Sequence, residues 1–248
     1  MKNMSKIWGV GLAIVLAASL LFGAMPVSAG TLSWGTESIP STTGNVLTSS
    51  TSVDIADFAV ADDGVMYLVT GYDNYCYKST NGGKTWSKLP KDFGSALSFV
   101  AVAPDDSSIA VVAENTGTPN VWVTTDGGSS WGDLGNPSES GVDTMQDAGL
   151  KDLAISYADG SKHYIGVAGI STGNSTQKAG VFYFDLGAAA PKWNATYSDG
   201  GFKDSQDVAY ALAFSPNVAS DKVMVLSLIH ISEPTRPLYI SYAVFCLK

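Results

Sequence analysis

Short apolar runs, separated by residues that favour turns, follow one another along most of the chain. Residues 65–69, 109–113 and 181–184 are runs of this kind, and Asp, Asn and Gly are frequent between them. Short apolar runs bounded by turn residues predict β-strands. Outside the N-terminal segment, no stretch shows the longer period of an amphipathic helix. The pattern therefore predicts an all-β protein.

The N-terminal segment departs from this pattern. Lys2 and Lys6 precede an apolar run over residues 7–25, and the small residues Ser28 and Ala29 follow it. This order is typical of a secretory signal peptide, which we expect to be cleaved after Ala29. The alternative is an uncleaved membrane anchor of similar length. Both interpretations predict export, and cleavage predicts a secreted or extracytoplasmic protein with no remaining membrane span.

Two segments of the remaining chain repeat the same pattern. Residues 79–86 read Ser-Thr-Asn-Gly-Gly-Lys-Thr-Trp, and residues 124–131 read Thr-Thr-Asp-Gly-Gly-Ser-Ser-Trp. Short strands and an Asp-rich turn precede each copy, so one unit contains about four short strands. Four strands in roughly 40 to 50 residues is the spacing of a propeller blade. The prediction is a partial β-propeller of about three and a half four-stranded blades.

The expected boundaries follow from the recurring strand and turn patterns. An extended lead-in covers residues 30–52, and the visible propeller covers residues 53–225. Blades are expected at about 53–90, 95–135, 149–196 and 206–225. The third hairpin, at 185–193, keeps its Asp and Trp but loses the tight Gly-Gly turn.

The repeated segments resemble the Asp-box (BNR) repeat of sialidase-like, sortilin-like and photosystem II assembly-factor-like propellers. The motif predicts structural roles, because Asn or Asp in a turn accepts backbone N–H bonds and Gly accepts positive φ angles. The two Trp side chains are expected to pack into the blade interior. The predicted structural residues are Ser79, Asn81, Gly83 and Trp86 in the first copy, and Thr124, Asp126, Gly128 and Trp131 in the second.

Composition restricts the possible functions. The 248 residues carry a net charge of −9, which argues against a nucleic-acid partner. Two Cys and two His do not suggest a disulfide framework or a metal site, and no cofactor motif occurs, so we expect no cofactor. Cys76 is predicted to be a buried apolar residue, and His163 a lone surface histidine.

The sequence contains few candidates for catalytic residues. Residues 30–225 contain no Arg, which excludes a complete sialidase site in this segment, because that site needs arginines to hold a carboxylate. Other glycosidases need two carboxylates across a cleft. Asp143, Asp147 and Asp152 precede the third blade in what is expected to be a long loop. With Tyr72 they are the predicted ligand-loop residues, and a solvated acidic loop is the alternative.

The C-terminal residues resemble a different kind of sequence. Residues 226–236 match the in-frame translation of a transposase-type sequencing adaptor, and residues 240–247 match the flow-cell primer that follows it. We therefore interpret residues 226–248 as a non-native tail with little meaningful packing, and the propeller as truncated. Without this tail, residues 30–225 hold ten Lys against 22 Asp and Glu, a net charge of −12.

The function predicted from these patterns is a non-catalytic, extracytoplasmic binding or assembly scaffold. The expected partner is a glycan or another extracytoplasmic protein. The alternative is a carbohydrate-active glycoside hydrolase whose active site lies partly in blades beyond residue 225. No catalytic residue is assigned, and the small number of candidate catalytic residues argues against an enzyme.

Overall fold

The structure, a computed structural model, describes residues 54–140, 143–173, 176–196, 207–230 and 240–246. The signal peptide and the lead-in predicted for residues 1–52 lie outside this range. The described residues are almost entirely β-strands joined by turns, with one short helix, α1 (Val218–Asp221).

Two four-stranded antiparallel sheets come first, each with its strands in chain order. The first sheet contains β1 (Ile55–Val60), β2 (Met66–Thr70), β3 (Cys76–Ser79) and β4 (Ser87–Lys88). The second contains β5 (Leu97–Val102), β6 (Ala110–Glu114), β7 (Asn120–Thr124) and β8 (Gly132–Gly135).

The next two sheets vary this plan. The third has five strands, β9 (Ser138–Glu139), β10 (Asp143–Ile155), β11 (Tyr164–Gly173), β12 (Thr176–Asp185) and β13 (Trp193–Ala195). It therefore begins earlier than the predicted residue 149. The fourth has three described strands, β14 (Asp207–Phe214), β15 (Val223–His230) and β16 (Ile240–Cys246).

One apolar layer separates each pair of consecutive sheets. Val112 of β6 lies in the layer shared with the first sheet, and its neighbour Val111 lies in the layer shared with the third. A third layer, which includes Val181 and Leu212, joins the third and fourth sheets. Alternate residues of a strand point to opposite faces, so a sheet covered on both faces has nearly continuous apolar strands.

The first long strands of the four sheets, β1, β5, β10 and β14, contact one another in chain order. Sheets that stack face to face around adjacent inner strands form a partial β-propeller. The predicted fold class is therefore confirmed.

Residues after position 225 pack more extensively than predicted. Leu226 and Leu228 of β15 are buried in the apolar layer between the third and fourth sheets. The expectation of little packing is wrong for these two residues, because an alternating apolar segment continues a strand whatever its origin. β16 pairs with β15 over its whole length.

Candidate functional site

The two Gly-Gly hairpins, residues 79–86 and 124–131, are held by the same set of hydrogen bonds. In the first, the Thr85 N–H donates to Asn81 Oδ1 at 3.0 Å, and the Gly83 N–H donates to Ser79 Oγ at 3.0 Å. Asn81 is therefore occupied within its own turn, which is the local hydrogen bonding that such residues favour.

The second hairpin repeats these contacts with a carboxylate. The Ser130 N–H donates to Asp126 Oδ1 at 2.9 Å, and the Gly128 N–H donates to Thr124 Oγ1 at 2.8 Å. Hydrogen bonds from the Ser130 side chain and backbone hold the pKa of Asp126 at about 2. Asp126 is thus an ionised structural acceptor at neutral pH, which does not suit a general acid.

The tryptophans of the hairpins have different environments. Trp131 packs edge-on against Phe93, with ring centroids 5.3 Å apart, in the layer between the first and second sheets. Trp193 is buried in the next layer, and its Nε1 donates to the Leu134 carbonyl at 2.9 Å. Trp86 is only half-buried and belongs to none of the three layers. The prediction that Trp86 packs into the interior is therefore wrong.

The predicted ligand loop is not a loop. Asp143, Asp147 and Asp152 all lie on β10, and the structure places them in different surroundings. The prediction is wrong because β10 contains an irregular stretch, with Ala148 at φ 52°, that interrupts the alternation of a regular strand. Tyr72 lies in the β2–β3 turn and is 64% exposed.

Asp143 and Asp147 each accept a hydrogen bond from a hydroxyl group on another strand or turn. Asp143 is buried, its Oδ1 accepts the Thr144 N–H at 2.9 Å, and its Oδ2 accepts the Ser171 hydroxyl at 2.7 Å. Asp147 Oδ1 accepts the Thr118 hydroxyl at 2.7 Å, which joins β10 to the β6–β7 turn. These contacts support structural roles for both carboxylates.

Asp152 connects two sheets. Its Oδ1 accepts the N–H of Leu153 at 2.9 Å, and its Oδ2 accepts the N–H of Leu212, on β14, at 2.7 Å. Burial is the largest influence on its pKa and raises it, and the charge of Asp57 adds to the shift.

Asp57 makes the equivalent connection between the first and second sheets. Its Oδ1 accepts the Phe58 N–H at 2.8 Å, and its Oδ2 accepts the Val100 N–H, on β5, at 3.0 Å. Burial likewise raises its pKa. We call Asp57 and Asp152 the inter-sheet carboxylates. Sequence reasoning missed this role, although both residues directly precede the recurring apolar segments at 58 and 153.

Cys76 and His163 are both buried. Cys76 is buried as predicted, and burial raises the pKa of its thiol to about 12, which suppresses the nucleophilic thiolate. His163 is only 7% exposed, and its Nε2 lies 3.2 Å from Asp105 Oδ1. The prediction of a surface histidine is wrong because the β5–β6 turn of the second sheet covers the ring.

The strongest candidate for a binding site is a cavity of about 590 Å³ formed by the third and fourth sheets. Its volume falls within the range of about 300–1,000 Å³ that is usual for small-molecule sites. The β10–β11, β12–β13 and β14–β15 connections converge on it. Its lining consists of Lys162, Tyr164, Tyr183, Asp185, Ala188, Ala190, Lys192, Asn194 and Lys222. We call this the lysine cavity.

The charges of the lysine cavity are arranged unevenly. Lys162 Nζ lies 2.8 Å from Asp185 Oδ2, and Lys222 Nζ pairs with Asp159. Asp185 also accepts the Gly187 N–H at 3.0 Å, so both of its oxygens are occupied. Lys192 is exposed and forms no ion pair with any residue that the structure describes.

Polar and aromatic groups complete the lining. The Tyr164 and Tyr183 rings meet edge-to-face at 70°, with centroids 6.5 Å apart. The Tyr164 hydroxyl donates to Asp159 Oδ2 at 2.9 Å, and burial raises the pKa of Tyr164 to about 12. The sequence alone does not predict this site, because its three lysines lie in separate connections that only the fold brings together.

Within the described part of the chain, no group of three or more His, Cys, Asp or Glu side chains is placed to hold a metal ion. The same residues include no helix that is both long and apolar enough to cross a membrane.

Comparison with known proteins finds no matching family model and no matching curated protein. Among solved structures, the chain is similar to the GH74 enzyme of Niastella koreensis at 16% identity and a TM-score of 0.48, over 77% of this chain and 28% of that enzyme. It is similar to the leech intramolecular trans-sialidase at 13% identity and a TM-score of 0.42, over 73% of this chain and 29% of the other.

A third similar structure is YCF48 from Cyanidioschyzon merolae, at 15% identity and a TM-score of 0.40, over 75% of this chain and 57% of that protein. The chain thus spans less than two thirds of each of these proteins. At these identities and TM-scores the similarities carry no argument about activity, and the fold assignment rests on the four stacked sheets.

Proposed function

We propose that this chain is an exported member of the Asp-box propellers and acts as a binding or assembly scaffold, with the lysine cavity as its contact site. The observation that carries the proposal is the chemistry of the cavity lining. Its one lining carboxylate, Asp185, is already held by Lys162 and the Gly187 N–H, and the neighbouring Asp159 is held by Lys222 and the Tyr164 hydroxyl. Glycoside hydrolysis uses two carboxyl groups about 5–10 Å apart, so this lining favours binding over cleavage.

The proposed partners are a glycan or another extracytoplasmic protein. Aromatic rings, a side-chain amide and cations in one concave site supply both apolar contact and directional polar contact, as ligand sites generally do. Tyr183, Asn194 and Lys192 would make these contacts.

The hydrolase alternative has one specific observation in its favour. Burial raises the pKa values of both Asp57 and Asp152, and the charge of Asp57 adds to the shift of Asp152. Carboxyl groups with raised pKa values serve as general acids in glycosidases. Against this role, both oxygens of each carboxylate accept backbone N–H groups.

A sugar-release assay on a broad panel of glycans separates the two functions. The scaffold proposal expects no saturable release of reducing ends. Release that is lost in Asp152→Asn or Asp57→Asn, and retained in the exposed control Asp54→Asn, would establish the hydrolase instead.

Export is proposed from residues 1–29 alone. Expression with this segment is expected to yield an exported protein whose first residue is Gly30, which N-terminal sequencing would detect. A protein that retains residues 1–29 in the membrane fraction would support the anchor alternative.

A further inference from the structure

We propose that the lysine cavity binds a saccharide that carries carboxylate groups. This inference rests on the proposed binding function and specifies its ligand class. Cations are scarce on this chain, since residues 30–225 hold only ten Lys against 22 acidic residues. Three of those ten lysines line one cavity. A local cluster of cations on an acidic protein attracts anions selectively to that place.

Lys192 is the cation that is available to a ligand. Lys162 and Lys222 are balanced by Asp185 and Asp159, whereas Lys192 has no acidic partner among the residues that the structure describes. An anion that entered the cavity would therefore pair with Lys192, while the two neutral ion pairs would add little net charge of either sign. Its entry would not require an existing ion pair to break.

The other lining groups favour a saccharide as the carrier of the anion. Tyr164 and Tyr183 contribute aromatic surface, while the Asn194 side chain offers both a donor and an acceptor to hydroxyl groups. The Asn194 Nδ2 also donates to the Lys192 carbonyl at 3.1 Å, which keeps the amide and the lysine on one part of the wall. A ring with both hydroxyl and carboxylate substituents matches this set of groups.

The test is calorimetric titration of the chain with a galacturonic acid trisaccharide and with the matching neutral galactose trisaccharide. The acidic sugar is expected to bind more tightly than the neutral one. The difference is expected to shrink as ionic strength rises, because salt screens the pairing of partly exposed charges. Equal affinity for the two sugars, or no binding of either, would overturn the inference.

Substitutions of single lysines test whether the acidic sugar binds in the lysine cavity. Lys192→Gln is expected to weaken acidic-sugar binding by about fivefold, as the loss of one partly exposed charge pair of about 1 kcal/mol implies. Lys192→Arg should retain most of the affinity. Lys84→Gln, at an exposed lysine of the first hairpin, is the matched control and should bind as the unmodified chain does. An unchanged affinity in Lys192→Gln would overturn the assignment to this cavity.

Three further outcomes distinguish a failure of this inference from a failure of the proposed binding function. Tight, Lys192-dependent binding of the neutral trisaccharide would overturn the anionic class and leave the scaffold function standing. Cleavage of either trisaccharide would overturn the scaffold function itself. A hexaglutamate peptide that displaces the acidic sugar at equal concentration would show that the site selects charge alone, and would overturn the saccharide class.

Discussion

At the scale of single residues, the two hairpins make one arrangement with different side chains. Asn81 accepts the Thr85 N–H and Asp126 accepts the Ser130 N–H, at nearly the same distance. The amide is neutral at every pH, whereas the carboxylate gives stronger, charge-assisted hydrogen bonds when it is ionised. The first hairpin therefore provides a natural reference for the second.

Asp126→Asn is expected to lower the melting temperature in a pH-dependent way. The pKa of Asp126 falls from 3.8 to about 2 in the folded state. Its stabilising contribution is therefore fully present above about pH 4 and is lost as pH falls through about 2. Melting temperatures measured from pH 2 to pH 6 should differ most above pH 4 and converge towards pH 2. A constant difference would show that ionisation of Asp126 does not stabilise the hairpin.

A side chain at Gly128 is expected to destabilise the second hairpin. Gly128 has a φ of +94°, and an added Cβ would lie 2.5 Å from Leu89 Cδ1. Gly128→Ala should cost about 1–2 kcal/mol for the backbone conformation and about 1–3 kcal/mol for overpacking. Gly82→Ala is the matched control, because Gly82 has a φ of +69° and open space at its Cβ. Urea unfolding should show the larger loss for Gly128→Ala, and equal losses would contradict the steric argument.

At the scale of strands and sheets, the first long strand of every sheet has the same irregularity. These strands are β1, β5, β10 and β14. Each has an extra residue at the same point, between Ile55 and Asp57, Leu97 and Phe99, Leu150 and Asp152, and Ala209 and Ala211. A bulge disrupts the strand pairing locally. In each strand, the N–H group of the next residue donates to an inter-sheet carboxylate. These donors are Phe58, Val100, Leu153 and Leu212. One Asp thus serves two consecutive sheets.

Asp57→Ala is expected to destabilise the contact between the first two sheets. It removes the acceptor of the buried Val100 N–H, and such a loss typically costs about 1–3 kcal/mol. Asp57→Asn keeps one acceptor oxygen, so its loss should be smaller. Asp54→Ala is the control, because its side chain is exposed. Chemical denaturation would rank the variants, and an Asp57→Ala midpoint equal to that of the control would refute this role.

At the scale of the whole molecule, one face of β1, the first strand of the first sheet, is apolar and exposed. Ile55, Phe58 and Val60 of β1 are 54%, 63% and 46% exposed. Trp86 is half-buried near the end of the same sheet, whereas the tryptophans of the next two hairpins pack on the preceding sheet. No preceding sheet is present among the described residues. An exposed apolar face of this kind promotes association.

The chain is therefore expected to self-associate in solution. Sedimentation at increasing protein concentration should show a growing share of oligomers, because two copies can bury this face against each other. Phe58→Ser with Val60→Ser should reduce the association. Tyr72→Ser is the matched control, because Tyr72 is 64% exposed but lies in the β2–β3 turn. A monomeric unmodified chain with a sharp, reversible melt would contradict this expectation.

The features that depend on near neighbours in the chain were predictable from the sequence. Strands follow from short apolar runs, and the two hairpins follow from Asn or Asp followed by Gly-Gly, because these preferences act over a few residues. Their spacing predicted the blades. The same reasoning misplaced Asp147, because the irregular stretch of β10 depends on its contacts with the β6–β7 turn.

Which distant groups come into contact depends on how the sheets pack. Lys162, Lys192 and Lys222 lie thirty residues apart along the chain and line one cavity because three connections converge at the same place. Asp105 reaches His163, and Asp152 reaches β14, because consecutive sheets stack face to face. Local preferences carry no information about such pairs, since the energy that brings them together comes from burying the apolar layers between the sheets.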